Sequence, residues 1–533
     1  MPDSDTPHLE RQSSEPQSKA RWWPAALVVV LFVARCVQIW FFRDSDRQFK
    51  VQGTFQVFAI SASLLLVWLI GFSRLRFRVR FLTLVAVLIC AGVTTLLVRV
   101  RGVTGDRIPI LEWRWTGTAS APEHPPGRAT QRLPAGRQVA FVSTDEGFPQ
   151  FLGPRRDGIL QGPTLARDWK TQPPQLLWHQ SVGAGWAGFA VWDRFAITLE
   201  QADLREMIIC YDVRTGARIW FHEYPARFDE SSAGLGPRSV PTIAGGRVYA
   251  CGATGVLTCL ELATGRENWS HHLLQEHHAR VPNWGFSCSP LVHEGQVIVT
   301  PGGPEGHSIA AYGAGDGKLR WSSGDHRAGY SSPILGELDG QWQILIFDHP
   351  GLTGYAVANG DLLWHHPIPT APHVANPLVV SHRQVLVSCG NGIGTYQLSV
   401  QRIRGNQWSA TQVWKTPRLK SKFANLIPIQ GFVYGLDDGR MACLEIATGN
   451  LRWKAERYGH GQLLLVSGLL LVMAENGEIA LVDPSPESFR ELTRFPALSG
   501  KTWNPPALAG QYLLLRNDQE AACYRLPFAS DTR

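Results

Sequence analysis

CLELATGRENW, residues 259–269, has a close copy upstream in CYDVRTGARIW (210–220) and another downstream in CLEIATGNLRW (443–453). Two looser copies, AYGAGDGKLRW (311–321) and GYAVANGDLLW (354–364), lie between them. The shared pattern is a small residue, alternating apolar positions, a turn ending in glycine, and tryptophan four residues later. Trp178 in QLLWHQ and Trp414 in SATQVW fit the closing half. A tryptophan every 40 to 50 residues or so is the period of a four-stranded propeller blade, and helical or leucine-rich repeats need other spacings. The glycine supplies the positive φ of a tight hairpin turn. The tryptophan offers a large apolar face and one N–H, suited to sealing the joint between wedge-shaped blades.

Two further strands precede each hairpin. SVPTIAGGRVYACGATGVLTCL (239–260) reads strand, turn, strand, turn, strand, and so do the corresponding segments in the other units. Seven complete units fit between about 186 and 494. The C-terminus supplies three more strands, at about 503–526, without a fourth. PQLLWHQSV supplies a lone outer strand carrying Trp178. Joining the two ends makes an eighth blade and removes the exposed edges that a β-protein must otherwise protect. The expected fold is an all-β, eight-bladed propeller with four-stranded blades, preceded by three transmembrane helices.

The helices are read from apolar stretches at about 24–42, 55–72 and 81–98, each near the roughly 20 residues that cross a bilayer. Arg35 in the first could snorkel toward an interface. The loop RLRFRVR (74–80) is the densest cationic segment, so it is expected on the cytoplasmic side, with the chain beyond the third span in the periplasm of a bacterial inner-membrane protein. The expected layout is a cytoplasmic tail (1–21), a three-span anchor (22–98), a periplasmic linker (99–147, with a Pro/Ala/Thr-rich tether at 116–140) and a propeller (148–529).

Formal net charge is +7. Residues 1–115 hold 15 Lys and Arg against 8 Asp and Glu, so with 51 and 44 in the whole chain the remainder carries 36 of each sign and is neutral. A neutral propeller without a basic stripe gives no support for nucleic-acid binding. Nine cysteines form no disulfide-framework spacing, and four of them (Cys210, Cys259, Cys443, Cys523) recur at one repeat position, as core filler does.

The pattern small-x-acid-x-x-Thr-Gly-x-x-x-Trp, matched at 210–220, 259–269 and 443–453, resembles the docking motif of pyrroloquinoline-quinone (PQQ) repeat propellers. The resemblance covers about 148–528, and FPQFLGPRRDG (148–158) is similar to the lead-in segment ahead of such propellers. It implies eight blades girdled by docking tryptophans, here Trp178, Trp220, Trp269, Trp321, Trp364, Trp414 and Trp453. It leaves function open, because one fold serves quinone-dependent dehydrogenases and a non-enzymatic subunit of outer-membrane protein assembly.

Chemistry in a propeller gathers where the innermost strands open at the channel mouth. The residues at or just before those strands are Trp186, Arg238, Trp284, Tyr330, His373, Lys422, His460 and Trp503, with Asn376, Asn425 and Asn504 close behind. Aromatics mixed with cations could hold a small planar anion, or simply fill the channel end. PQQ chemistry needs Ca²⁺ on hard oxygen ligands, and this ring has no Asp or Glu; Glu200 and Asp325 are the nearest acids and read as turn residues. HHLLQEHH (271–278) reads as solvated histidines in a blade connection, so no metal ligands and no catalytic residues are assigned. The expected function is a membrane-anchored binding or scaffold module with envelope protein partners. The competing classes are a PQQ-dependent dehydrogenase of alcohols or sugars and a small-ligand sensor.

Overall fold

The computed structural model describes residues 20–115, 147–162, 164–368, 372–405 and 407–529, which divide into two units. The 116–140 tether and residues 1–19 of the tail lie outside the described residues.

The first unit comprises three helices long and apolar enough to cross a membrane, Trp23–Phe42, Arg47–Phe72 and Phe77–Leu97. The second and third begin earlier than the apolar runs, because the charged flanks continue the helical hydrogen-bond ladder: Arg47 and Lys50 lie in the first turn of one, Arg78 and Arg80 in that of the other. Lys50 Nζ and Arg80 Nη1 donate to the carbonyls of Trp40 and Ile70 across the two connections. The expected linker begins as a hairpin, Val98–Val103 with Pro109–Trp113, which composition alone did not indicate.

The second unit is the eight-bladed propeller. Each blade is an antiparallel meander running from an innermost to an outermost strand: blades 1 to 7 occupy 190–225, 242–272, 291–323, 334–367, 378–416, 427–457 and 462–496. Blade 8 joins Ala507–Ala509, Tyr512–Arg516 and Glu520–Arg525 to the N-terminal strand Gln175–Ser181, with Trp178 opposite Cys523. Arg516 locks this closure: wholly buried, it donates to Thr198 Oγ1 (2.7 Å), the Leu199 carbonyl (2.7 Å) and the Gly183 carbonyl (3.0 Å).

Trp178, Trp220, Trp269, Trp414 and Trp453 each donate their indole N–H to a carbonyl in the next blade, at Val213, Leu262, Ala314, Ile446 and Ser485 (2.8 to 3.4 Å). Trp321 and Trp364 donate instead to a glutamine of their own blade, Gln296 and Gln343. The turn glycine of the following blade lies under the ring: Gly216, at φ +70°, would carry a Cβ only 2.7 Å from Trp178. Both backbone sign and space therefore require glycine there. The seven cysteines of the propeller are buried free thiols.

Polar side chains also staple neighbouring blades around the channel. Ser289 Oγ accepts from the Val240 amide, Ser332 Oγ from Ser289, Asn376 Oδ1 from Ser332 and Asn425 Oδ1 from Asn376. The lead-in segment crosses several innermost strands. Phe148 bridges Val191 of blade 1, the Pro149 carbonyl accepts from Ile243 of blade 2, buried Arg156 donates to the carbonyls of Ser289 and Pro290, and Ile159–Leu160 pairs in parallel with blade 7.

Candidate functional site at the channel mouth

Connections between blades and hairpins between second and third strands converge on one face, and they bring the sequence-predicted ring together in two clusters. In the first, Trp186 and Trp503 lie with ring centroids 5.0 Å apart. Phe423 packs 5.0 Å from Trp503 and 6.0 Å from His460, and Lys501 Nζ stands 4.5 Å and 4.1 Å from the two tryptophan rings. The indole N–H of Trp186 is buried and meets no hydrogen-bond acceptor among the described residues. In the second, Trp284 and Tyr330 lie 5.0 Å apart, and Arg238 stacks 4.7 Å over Phe228 while donating to the carbonyls of Gly236 and Gly234. Burial lowers the Arg238 pKa to about 10, with Glu230 and Glu206 opposing that shift from nearby.

The remaining ring positions turn inward. His373 is 1% exposed, stacks on Phe347 and donates to the Asp348 carbonyl. Lys422 Nζ donates to the carbonyl of Gly105, a residue that clusters with this unit.

The expectation of a mouth without acids is corrected. Glu475 and Glu206 reach it from second-to-third-strand hairpins rather than from the starts of innermost strands. Glu475 Oε1 accepts from Trp503 Nε1 (2.8 Å) and the Gly105 amide (2.6 Å), and Oε2 from the His460 amide (3.1 Å). Glu206 accepts from the Ala253 amide (3.1 Å) and Tyr224 Oη (3.0 Å), and burial pushes its carboxyl up to about 7. Glu200 is no turn acid either: it is buried, accepting from the Gly183 amide (2.6 Å) and Tyr211 Oη (2.8 Å). Asp325 does cap a turn, at the Gly306 amide. Phe423 and Lys501 adjoin predicted ring positions and could have been found by widening the window. Glu475 and Glu206 needed knowledge of which hairpins share a face with the mouth.

These donors decide how a Ca²⁺-supported quinone would fit. A hard cation needs several oxygen lone pairs converging on one point. The oxygens of Glu475, Glu206 and Glu200 already face N–H and O–H donors, burial favours the protonated form of Glu206, and the side-chain oxygens of Asn376 and Asn425 staple blades. Of these mouth oxygens Asn504 Oδ1 alone lacks a hydrogen-bond partner among the described residues, and one neutral oxygen does not hold Ca²⁺; rebuilding the others would break the frame around the mouth, so these residues do not fit the ion.

The reading of HHLLQEHH as solvated holds for His272 and His278, which are exposed, but not for His277. His277 is 1% exposed, with both ring nitrogens hydrogen-bonded to blade 3. Close packing of adjacent blades, invisible to spacing along one blade, draws it inside.

Comparison with known proteins agrees with this architecture. Residues 204–455 match the family model described as outer membrane protein assembly factor BamB. No curated protein matches the chain. Among solved structures it is similar to quinohemoprotein alcohol dehydrogenase from Comamonas testosteroni, at 14% identity and TM-score 0.53, over 73% of this chain and 82% of that one. A quinohemoprotein alcohol dehydrogenase from Pseudomonas putida HK5 gives 14% identity and TM-score 0.52, over 73% and 81%. BamB from Moraxella catarrhalis gives 13% and 0.47, over 68% and 99%. With the docking tryptophans, the turn glycines and the two-ended eighth blade, the chain has the fold of the PQQ-repeat β-propellers.

Proposed function

We propose that the chain is a membrane-anchored, non-enzymatic binding module whose channel mouth recognises a small planar anion or an acidic group on an envelope protein. The observation that carries this reading is the allocation of charge at the mouth. The acids accept from N–H and O–H donors of the frame, whereas the cations, steadied by neutral backbone carbonyls (Arg238 by Gly234 and Gly236, Lys501 by Val103), lie against aromatic faces: Lys501 on Trp186 and Trp503, Arg238 on Phe228. Such an arrangement attracts an anion with a flat face and repels Ca²⁺.

The test uses the full-length protein in detergent, titrated with PQQ with and without Ca²⁺, followed by absorbance and by reduction of an electron-accepting dye in the presence of alcohols or sugars. Metal-independent binding weakened about tenfold or more by Arg238→Met or Lys501→Met, without turnover, is the expected result. Ca²⁺-dependent turnover abolished by Glu475→Gln would make the protein a dehydrogenase and end the binding-module reading. If PQQ does not bind at all, the small-ligand part of the reading fails and protein partners remain.

A further inference from the structure

We propose that the seam between blades 2 and 3 is an acid-opened latch on the connection that carries Trp284. The proposal rests on a hydrogen-bond chain outside the mouth and does not depend on what the mouth binds.

The chain begins in the second-to-third-strand hairpin of blade 3. His307 Nδ1 lies 2.9 Å from His277 Nδ1, His277 Nε2 lies 2.6 Å from Tyr312 Oη, and Tyr312 donates to Glu276 Oε2 (3.0 Å). Glu276 Oε1 lies 2.9 Å from His271 Nδ1, and His271 Nε2 donates to the Gly317 carbonyl (2.7 Å). His271, Glu276 and His277 belong to the end of blade 2 and its outgoing connection; His307, Tyr312 and Gly317 belong to blade 3. Four of the five links therefore cross the seam.

Valence fixes the proton positions. Tyr312 donates to a carboxylate, so it accepts from His277 Nε2–H. A neutral His277 then presents its Nδ1 lone pair, and His307 must supply the single proton in the gap. Burial and the Glu276 charge hold the Tyr312 hydroxyl protonated, as this direction requires. One extra proton is tolerated, since either ring can be the imidazolium and the other the acceptor. A second puts N–H on both facing atoms at 2.9 Å, joining two cations without an acceptor between them. His277 cannot turn away while Nε2 stays on Tyr312. The other titratable groups facing the pair are Glu276 and His271 from blade 2, with His278 from the connection, its ring 6.2 Å from that of His307.

Burial and the His307 charge lower the His277 pKa to about 4, against an ordinary value of 6.5. Its contribution to the closed seam is thus complete above about pH 6.5 and is lost as pH falls toward 4. Opening releases the 273–288 connection, whose far end places Trp284 against Tyr330.

Hydrogen exchange of the full-length protein in nanodiscs, corrected for intrinsic rates, tests this. From pH 7.5 to pH 5, protection within 273–288 should fall about tenfold or more, while strands Phe432–Asp437 and Arg440–Glu445 of blade 6 stay protected. His277→Asn and His307→Asn should each flatten the pH dependence, so one of them suffices if the other fails to fold. His382→Asn, at an exposed position, should retain it. Equal protection at both pH values in the wild type, an equal loss in blade 6, or persistence of the drop in the His277 and His307 variants would overturn the latch.

Discussion

At the scale of single residues, the docking tryptophans share a motif but differ in burial, and stability should follow burial. Trp220 is 3% exposed, lies over Gly265 and donates to the Leu262 carbonyl at 2.9 Å. Trp269 is half-buried and its hydrogen bond is 3.4 Å long. Trp220→Ala should therefore cost about 3–5 kcal/mol and Trp269→Ala about 1–2 kcal/mol, measured by chemical denaturation. Equal costs would show that the seal does not depend on enclosure. Glu206 gives a residue-scale pH prediction of the opposite sign to His277. Its folded pKa, about 7, lies above its ordinary value of 4.5, so the folded state binds more protons than the unfolded state between the two. Stability from this group declines as pH rises from about 4.5 to about 7. Glu206→Gln should leave stability unchanged at pH 4 and raise it by about 1–3 kcal/mol at pH 8, where the wild type must bury a charge. Recurrent tryptophans were legible in the sequence because the same motif returns at one position of each repeat. The burial of His277 and the Ala253 amide that reaches Glu206 were not, because both depend on groups 30 to 47 positions away in a neighbouring blade.

At the scale of elements, the eighth blade was legible from the ends of the chain. The C-terminal strands lacked an outer partner, and the segment around Trp178 lacked everything else. The hairpin at 98–113 was not, since its alternating Arg and Val (VRVRGV) read as the flank of a helix. Closure is the element whose loss should be most severe. Removing 507–529 deletes three strands of blade 8, leaves Gln175–Ser181 unpaired and strips Thr198, Leu199 and Gly183 of the Arg516 guanidinium. Limited proteolysis of the truncated protein should cut within 172–182 under conditions where the full-length chain resists, because an unpaired edge strand has no ladder to protect it. Resistance at that segment would show that seven blades close without the eighth.

At the scale of the molecule, charge and apolar length divide the chain into a basic segment with three candidate membrane spans and a neutral propeller. The proposed orientation places 74–80 in the cytoplasm and the propeller in the periplasm. With native cysteines replaced, a single cysteine introduced in 74–80 should resist an impermeant thiol reagent in spheroplasts, and one in 116–140 should react. The reverse pattern would put the propeller in the cytoplasm and remove any envelope partner. Architecture on this scale follows from the repeat period. The mouth did not, because a ring read one blade at a time omits the hairpins that bring acids to the same face.

Pairing of the first propeller strand with the last has a consequence in time. His179 and Glu520, which meet across that joint, are 341 positions apart. At about 5–20 residues per second, synthesis of the intervening chain takes roughly 20–70 s. Throughout that interval the Trp178 strand has emerged but its hydrogen-bonding partner does not yet exist. The growing ring thus carries two open edges until the last strand is made, and whatever shields them during synthesis sets the yield of finished protein.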